Sequence, residues 1–105
     1  MLTSEFVDSA RDEIYQGWTQ GTFRDDNGDV CILGALDRVA LRNLQNGGVP
    51  AHARAKAEIC KTAAELFPDA FQGSIPALND MYSTSKDDVL ALLDKTAMRL
   101  AEVGE

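Results

Sequence analysis

The sequence predicts a mainly α-helical domain, residues 1–105, in which four helices and one short β-hairpin enclose a single core. Three observations predict it. Apolar residues recur at helical spacing in four separate segments. Three of those segments run into strong stops at Gly17, Asn46-Gly47-Gly48 and Pro68. The one stretch that has turn chemistry but no helical period is FRDDNGDV, residues 23–30, between the first and second helical segments. A chain of 105 residues, 45% hydrophobic and 26% charged, suits one compact domain rather than a disordered segment.

The first helix is expected over residues 3–16, where Phe6, Ala10 and Ile14 recur every four positions beside Val7. Thr3 is its expected N-cap, with Leu2 packing back on Val7. Gly17 suits the left-handed conformation that often ends a helix. The hairpin follows. A four-residue loop, Asp25 to Gly28, pairs Phe23 with Val30 and Arg24 with Asp29, and avoids setting Asp26 against Asp29. The second helix, residues 32–45, buries Leu33, Leu36, Ala40 and Leu44. The third, about residues 50–67, has Pro50 in its first turn and Ile59, Ala63 and Leu66 on one face. Pro68 prevents its continuation, because the residue before proline avoids helical angles. Residues 69–83 read as a loop with one helical turn starting at Pro76. Thr84 caps the last helix, Asp87 completes a short capping box, and Val89, Leu93, Ala97 and Leu100 form its buried stripe.

Charge narrows the function. Seventeen acidic residues against ten basic ones give a formal charge of −7. Phosphates are held by Lys and Arg, so direct nucleic-acid binding and an anionic membrane surface are both disfavoured. The N-terminal stretch MLTSEFVDSARDE has no basic region followed by a long apolar run. A cytoplasmic protein with two free thiols, Cys31 and Cys60, is expected.

No motif for chemistry stands out. DDNGDV resembles a calcium loop, but with Gly28 at the sixth position Phe23 and Gly34 fall first and twelfth, where oxygen ligands are needed. Cys31, His52 and Cys60 lack zinc spacing. Cys31 near a helix start could be a nucleophile, with His52 as base and Asp80 as its orienter. Its apolar neighbours Val30 and Ile32 favour a small buried hydrophobe instead. Asp87 and Asp88 read as acidic residues complementing a helix start rather than a catalytic pair. Gly47-Gly48 has neither the strand nor the Lys-Ser/Thr of a phosphate loop. No catalytic, cofactor or metal residue is therefore assigned.

The order of Trp18-Thr19-Gln20-Gly21, an acidic turn, CILGAL, IPALND and TSKDDVLALLDKTA resembles a family of small bacterial and bacteriophage proteins without an assigned activity. That family carries a Cys-x-x-Gly-Ala-Leu helix start, here Cys31 to Leu36, and a Trp-Asn-Asp loop before a final helix. Asn79-Asp80 matches the loop, while Leu78 stands where the family usually has tryptophan. The resemblance implies a bacterial or phage origin and no transferable activity.

Two functional expectations remain. The first is a non-catalytic protein-interaction or regulatory module, suggested by small size, acidity and aromatic residues in loops. Its partner or ligand contacts would be Trp18, Asn79 and Asp80. The second is a small-ligand binder or enzyme with a pocket near Trp18, Cys31, Asn79 and Asp80. Asn79-Asp80 also has a purely local reading, as turn residues that satisfy backbone donors. Homo-oligomerisation through the alanine-rich face of the third helix, Ala51, Ala55 and Ala57, is a further expectation to be weighed. In VCILGAL, residues 30–36, Gly34 is expected to let a neighbouring backbone approach.

Overall fold

All four apolar-periodic segments form helices, and residues 68–80 add two short ones. The computed structural model describes residues 1–105. Its helices are α1 (Thr3–Gln16), α2 (Ile32–Arg42), α3 (Gly48–Leu66), α4 (Pro68–Phe71), α5 (Ile75–Asp80) and α6 (Lys86–Glu102). The expected count of four thus becomes six. Pro68 does end α3, leaving Phe67 at non-helical angles (φ −134°, ψ 58°), but its fixed φ also suits the first turn of α4. Ser74 then caps α5 by accepting from Ala77 N at 3.1 Å.

The expected hairpin is not formed: the fold has no strand. Residues 17–31 make only two isolated bridges, Trp18 with Val30 in parallel and Arg24 with Val30 in antiparallel sense. The register is also displaced, because Arg24 rather than Phe23 lies opposite Val30. Two local causes are visible. Asp25 Oδ1 accepts from the backbone N–H groups of Asn27 and Asp29, at 2.9 and 3.0 Å, so a side chain shapes the turn. Val30 is meanwhile held on its other edge, donating to Gly17 O and accepting from Thr19 N, both at 3.0 Å.

Caps move by one residue from their expected places. Leu2, not Thr3, stands at the N-cap of α1, and Glu5 Oε1 accepts from its backbone N–H at 2.7 Å. Ser85, not Thr84, caps α6, and Asp88 closes the reciprocal capping box. Gly17 is extended rather than left-handed. Its lack of a side chain makes room for Asp29, whose Cγ would lie 2.7 Å from a Cβ there.

The core lies where α1 packs on α6, α2 and α3, with α3 closing against α6. Phe6, Val7, Ala10 and Ile14 of α1 are fully buried among Leu36, Ile59, Leu93 and Leu100. Leu44, expected in the core, is exposed in a 3-10 turn beyond α2. Ala51 and Ala55 face the core, while Ala57 is exposed. Glu13 on α1, nearly buried, bridges to both Arg38 and Arg42 of α2. Arg38 also donates to Gly28 O at 2.9 Å, tying the acidic turn to α2. No helix is long and apolar enough to cross a membrane.

Gly34 occupies the first turn of α2. A Cβ there would overlap the carbonyl oxygen of Phe23 and lie 3.0 Å from its carbon. The same carbonyl accepts from Cys31 N at 3.2 Å. Glycine therefore allows the 17–31 loop to lie directly on α2, as its place in VCILGAL predicts.

Candidate functional site

The site is built around one amide. Asn79 lies on the last turn of α5 and is only 1% exposed. Its Oδ1 accepts from Trp18 Nε1 at 2.9 Å and from Ile32 N at 3.1 Å. Its Nδ2 donates to Thr19 O at 3.1 Å and to Asp80 Oδ1 at 2.9 Å. An asparagine side chain has two acceptor sites and two donor protons, so this one is fully used. It buckles three separate pieces of chain together: the segment after α1, the start of α2 and the end of α5. Gln20 adds a second tie, donating to the carbonyls of Asn79 and Met81, both at 3.0 Å.

Asp80 sits at the edge of this buckle and is exposed. Its Oδ1 accepts from Gly21 N at 3.0 Å as well as from Asn79. Beside it opens a cleft of about 290 Å³, lined by Phe23, Cys31, Leu33, Ile75 and Pro76 together with Gly21, Thr22, Asn79 and Asp80. Phe23 is 61% exposed. It also borders a second hollow of about 410 Å³, running along α2 past Arg38 toward exposed Leu41. Phe23 therefore stands as a ridge between two depressions.

Trp18, Asn79 and Asp80 are thus brought together in one hydrogen-bonded chain. Trp18 is half-buried against the core and does not line the cleft. Asn79 has no free hydrogen-bonding valence, and Asp80 offers its second oxygen. Cys31 joins the cleft wall, but its Sγ accepts from Gly34 N at 3.3 Å and acts as the N-cap of α2. Burial raises the thiol pKa above its ordinary value, and nearby Asp80 adds to the rise, against the lowering pull of the Gly34 and Leu33 amides. The helix-start effect that could have activated Cys31 is therefore outweighed by desolvation.

His52 does not meet Cys31. Its Nε2 is 2.7 Å from Asp37 Oδ1, and its ring packs edge-on to Phe6 at 5.9 Å between centroids. No three His, Cys, Asp or Glu side chains gather where they could hold a metal ion. In the calcium-like turn, Asp25 Oδ1 is taken up by the backbone N–H groups of Asn27 and Asp29. Cys60 is free and half-buried.

Sequence reasoning did not single out Gln20, Leu33, Ile75 or Pro76 as parts of a site. A signal for α5 was present: Ser74 followed by Pro76 is a helix-start pair that would have placed Ile75 on a first turn facing inward.

Fold and site together define a small all-helical domain with one side-chain-buckled cleft. The chain belongs to the Family of unknown function (DUF6197), which matches residues 2–99. No curated protein and no solved structure matches it.

Proposed function

We propose that this is a non-catalytic interaction module of a bacterial or phage-infected cytoplasm, which meets a protein partner at the cleft and along the outer face of α2. The observation that carries the reading is Phe23, a large exposed aromatic standing between two hollows on a wall fixed from behind by Asn79. Exposed aromatics beside well-formed depressions are the usual anchors of protein interfaces. Leu41 of α2, 70% exposed, borders the second hollow along with Phe23. The role of Trp18 and Asn79 in this reading is to hold the wall, while Asp80 and Phe23 touch the partner.

The test is a comparison of three immobilised proteins exposed to a bacterial lysate: wild type, Phe23→Asp and Leu66→Asp. Leu66 is exposed and apolar but lies away from the cleft. Proteins retained by wild type and Leu66→Asp but lost with Phe23→Asp support the reading. Identical retention by all three overturns it.

A second reading, a small-ligand site, is favoured by one observation. The cleft volume is close to the lower end of the range of ligand pockets, roughly 300 Å³, and its walls are mainly apolar with one carboxylate.

A further inference from the structure

We infer that the cleft recognises a lysine side chain of the partner, with the ammonium at Asp80 and the aliphatic stem against the apolar walls. This rests on the reading of the cleft as the partner-binding surface.

The argument begins with charge. Among the residues lining the cleft, Asp80 alone is charged, and no basic residue opposes it. The chain as a whole carries −7. A cationic occupant is complementary both locally and at long range. The walls ask for an apolar stem: Phe23, Leu33, Ile75 and Pro76 line the same cleft as Asp80. Lysine and arginine both bury such stems while keeping a charged head at a polar end.

Hydrogen-bond valence separates the two. Asp80 Oδ1 already accepts two donors, Gly21 N and Asn79 Nδ2. A carboxylate oxygen has about two lone-pair sites, so this one is filled. Only Oδ2, which has no partner in the protein, remains. A guanidinium fork binds best when both carboxylate oxygens are available to it. An ammonium is a point charge and needs one. A single free carboxylate oxygen in a cleft with apolar walls suits a rotatable ammonium. The carboxylate is also pre-positioned, since both donors to Oδ1 are fixed by the buckle, and this lowers the ordering cost of binding.

The experiment is an amide NMR titration of the whole chain with Nα-acetyl-lysine methylamide. Two comparison probes are its Nε-acetylated form and Nα-acetyl-arginine methylamide. The lysine probe is expected to give saturable shifts at Gly21, Phe23, Leu33 and Asp80. Nε-acetylation should weaken binding by about tenfold or more, because the charge is removed while the stem stays. The arginine probe should bind about threefold or more weaker than lysine. Asp80→Asn keeps an acceptor oxygen for Gly21 N and should weaken the lysine probe by about tenfold, while Asp26→Asn leaves it unchanged. The probe comparison on the wild-type chain stands even if Asp80→Asn perturbs folding.

Equal binding of the Nε-acetylated probe overturns the inference, as does arginine binding as tightly as lysine. Shifts centred on the Asp25–Asp29 turn instead of the cleft also overturn it, and so does the absence of saturable shifts. If these fail while Phe23→Asp still loses its retained proteins, the α2 surface stands as an interface without a lysine anchor. If Phe23→Asp loses nothing, the interface reading itself falls, whatever the probes do.

Discussion

Replacing Gly34 by alanine sets two physical effects against each other with opposite signs. Helix propensity alone favours alanine by up to about 1 kcal/mol, less in a first turn. Packing opposes it. The new Cβ would overlap the Phe23 carbonyl oxygen and sit 3.0 Å from its carbon and 3.4 Å from Val30 Cβ. The obstacle is backbone, so it cannot rotate away. To reach ordinary contact the loop must retreat by roughly 1 Å. That carbonyl accepts from Cys31 N at 3.2 Å, and a retreat of this size breaks the bond and orphans an amide at a buried residue. Overpacking of this kind costs about 1–3 kcal/mol, and an unsatisfied buried donor about 1–3 kcal/mol more. After the propensity gain, Gly34→Ala should destabilise the fold by about 1–6 kcal/mol. Cys31→Ser, which keeps an N-cap acceptor, should stay within about 1 kcal/mol of wild type. Gly17→Ala should fall between them, because its obstacle is the Asp29 carboxylate, a movable group. Urea unfolding followed by the fluorescence of Trp18 measures all three, with unchanged slopes to show that only stability has moved. A Gly34→Ala protein as stable as wild type, or more so, would refute the close approach of the 17–31 loop to α2.

Three other perturbations follow from the same contacts. Asn79→Ala leaves Trp18 Nε1, Ile32 N and Thr19 O without their partner, and should cost about 3 kcal/mol or more. The same variant should red-shift the tryptophan emission as the indole loses its fixed seat; an unchanged spectrum and midpoint would remove the buckle from the account. Glu13→Gln leaves Arg38 and Arg42 facing each other across a nearly buried position, and should cost about 1–2 kcal/mol, shrinking at high salt. Burial raises the thiol pKa of both Cys31 and Cys60 above the ordinary 9.0, with Lys56 pulling Cys60 the other way. The folded chain therefore holds those protons to higher pH than the unfolded chain does. Their contribution is complete below the ordinary thiol range and is lost as pH rises through the raised values. Urea midpoints should fall less between pH 8 and about 10 in Cys31→Ser than in wild type, and a parallel fall would refute the assignment.

The sequence revealed those elements whose information is local. α1, α2, α3 and α6 each carry several turns of apolar spacing, and each is present in the structure. α4 and α5 have four and six residues, too short for a period to repeat; the helical turn expected from Pro76 is present as α5, while α4 went unsignalled. The hairpin was misread for a different reason. FRDDNGDV has hairpin turn chemistry, but Val30 is claimed on its far edge by Gly17 and Thr19, a pairing that no alternation encodes. Caps slipped by one because Thr3 and Thr84 each have a neighbour whose surroundings cap better. At the site, residue type drew attention to Trp18, Asn79 and Asp80. That the indole of Trp18 would seat on an amide 61 residues away is a tertiary fact. Which oxygen of Asp80 stays free depends in turn on that seating.

The four bonds of Asn79 have a thermodynamic consequence. The walls of the cleft come from the 17–31 loop, the start of α2 and α5, and this one side chain fastens all three. The assembled cleft and the native fold are then a single equilibrium. Any occupant that binds only the assembled walls must raise the melting temperature by mass action, in proportion to the logarithm of its concentration once the cleft is saturated. Conversely, a substitution far from the cleft that loosens the buckle weakens binding without touching the occupant. Heat stability is thus a direct gauge of occupancy in this chain, and a ligand can be sought by melting alone.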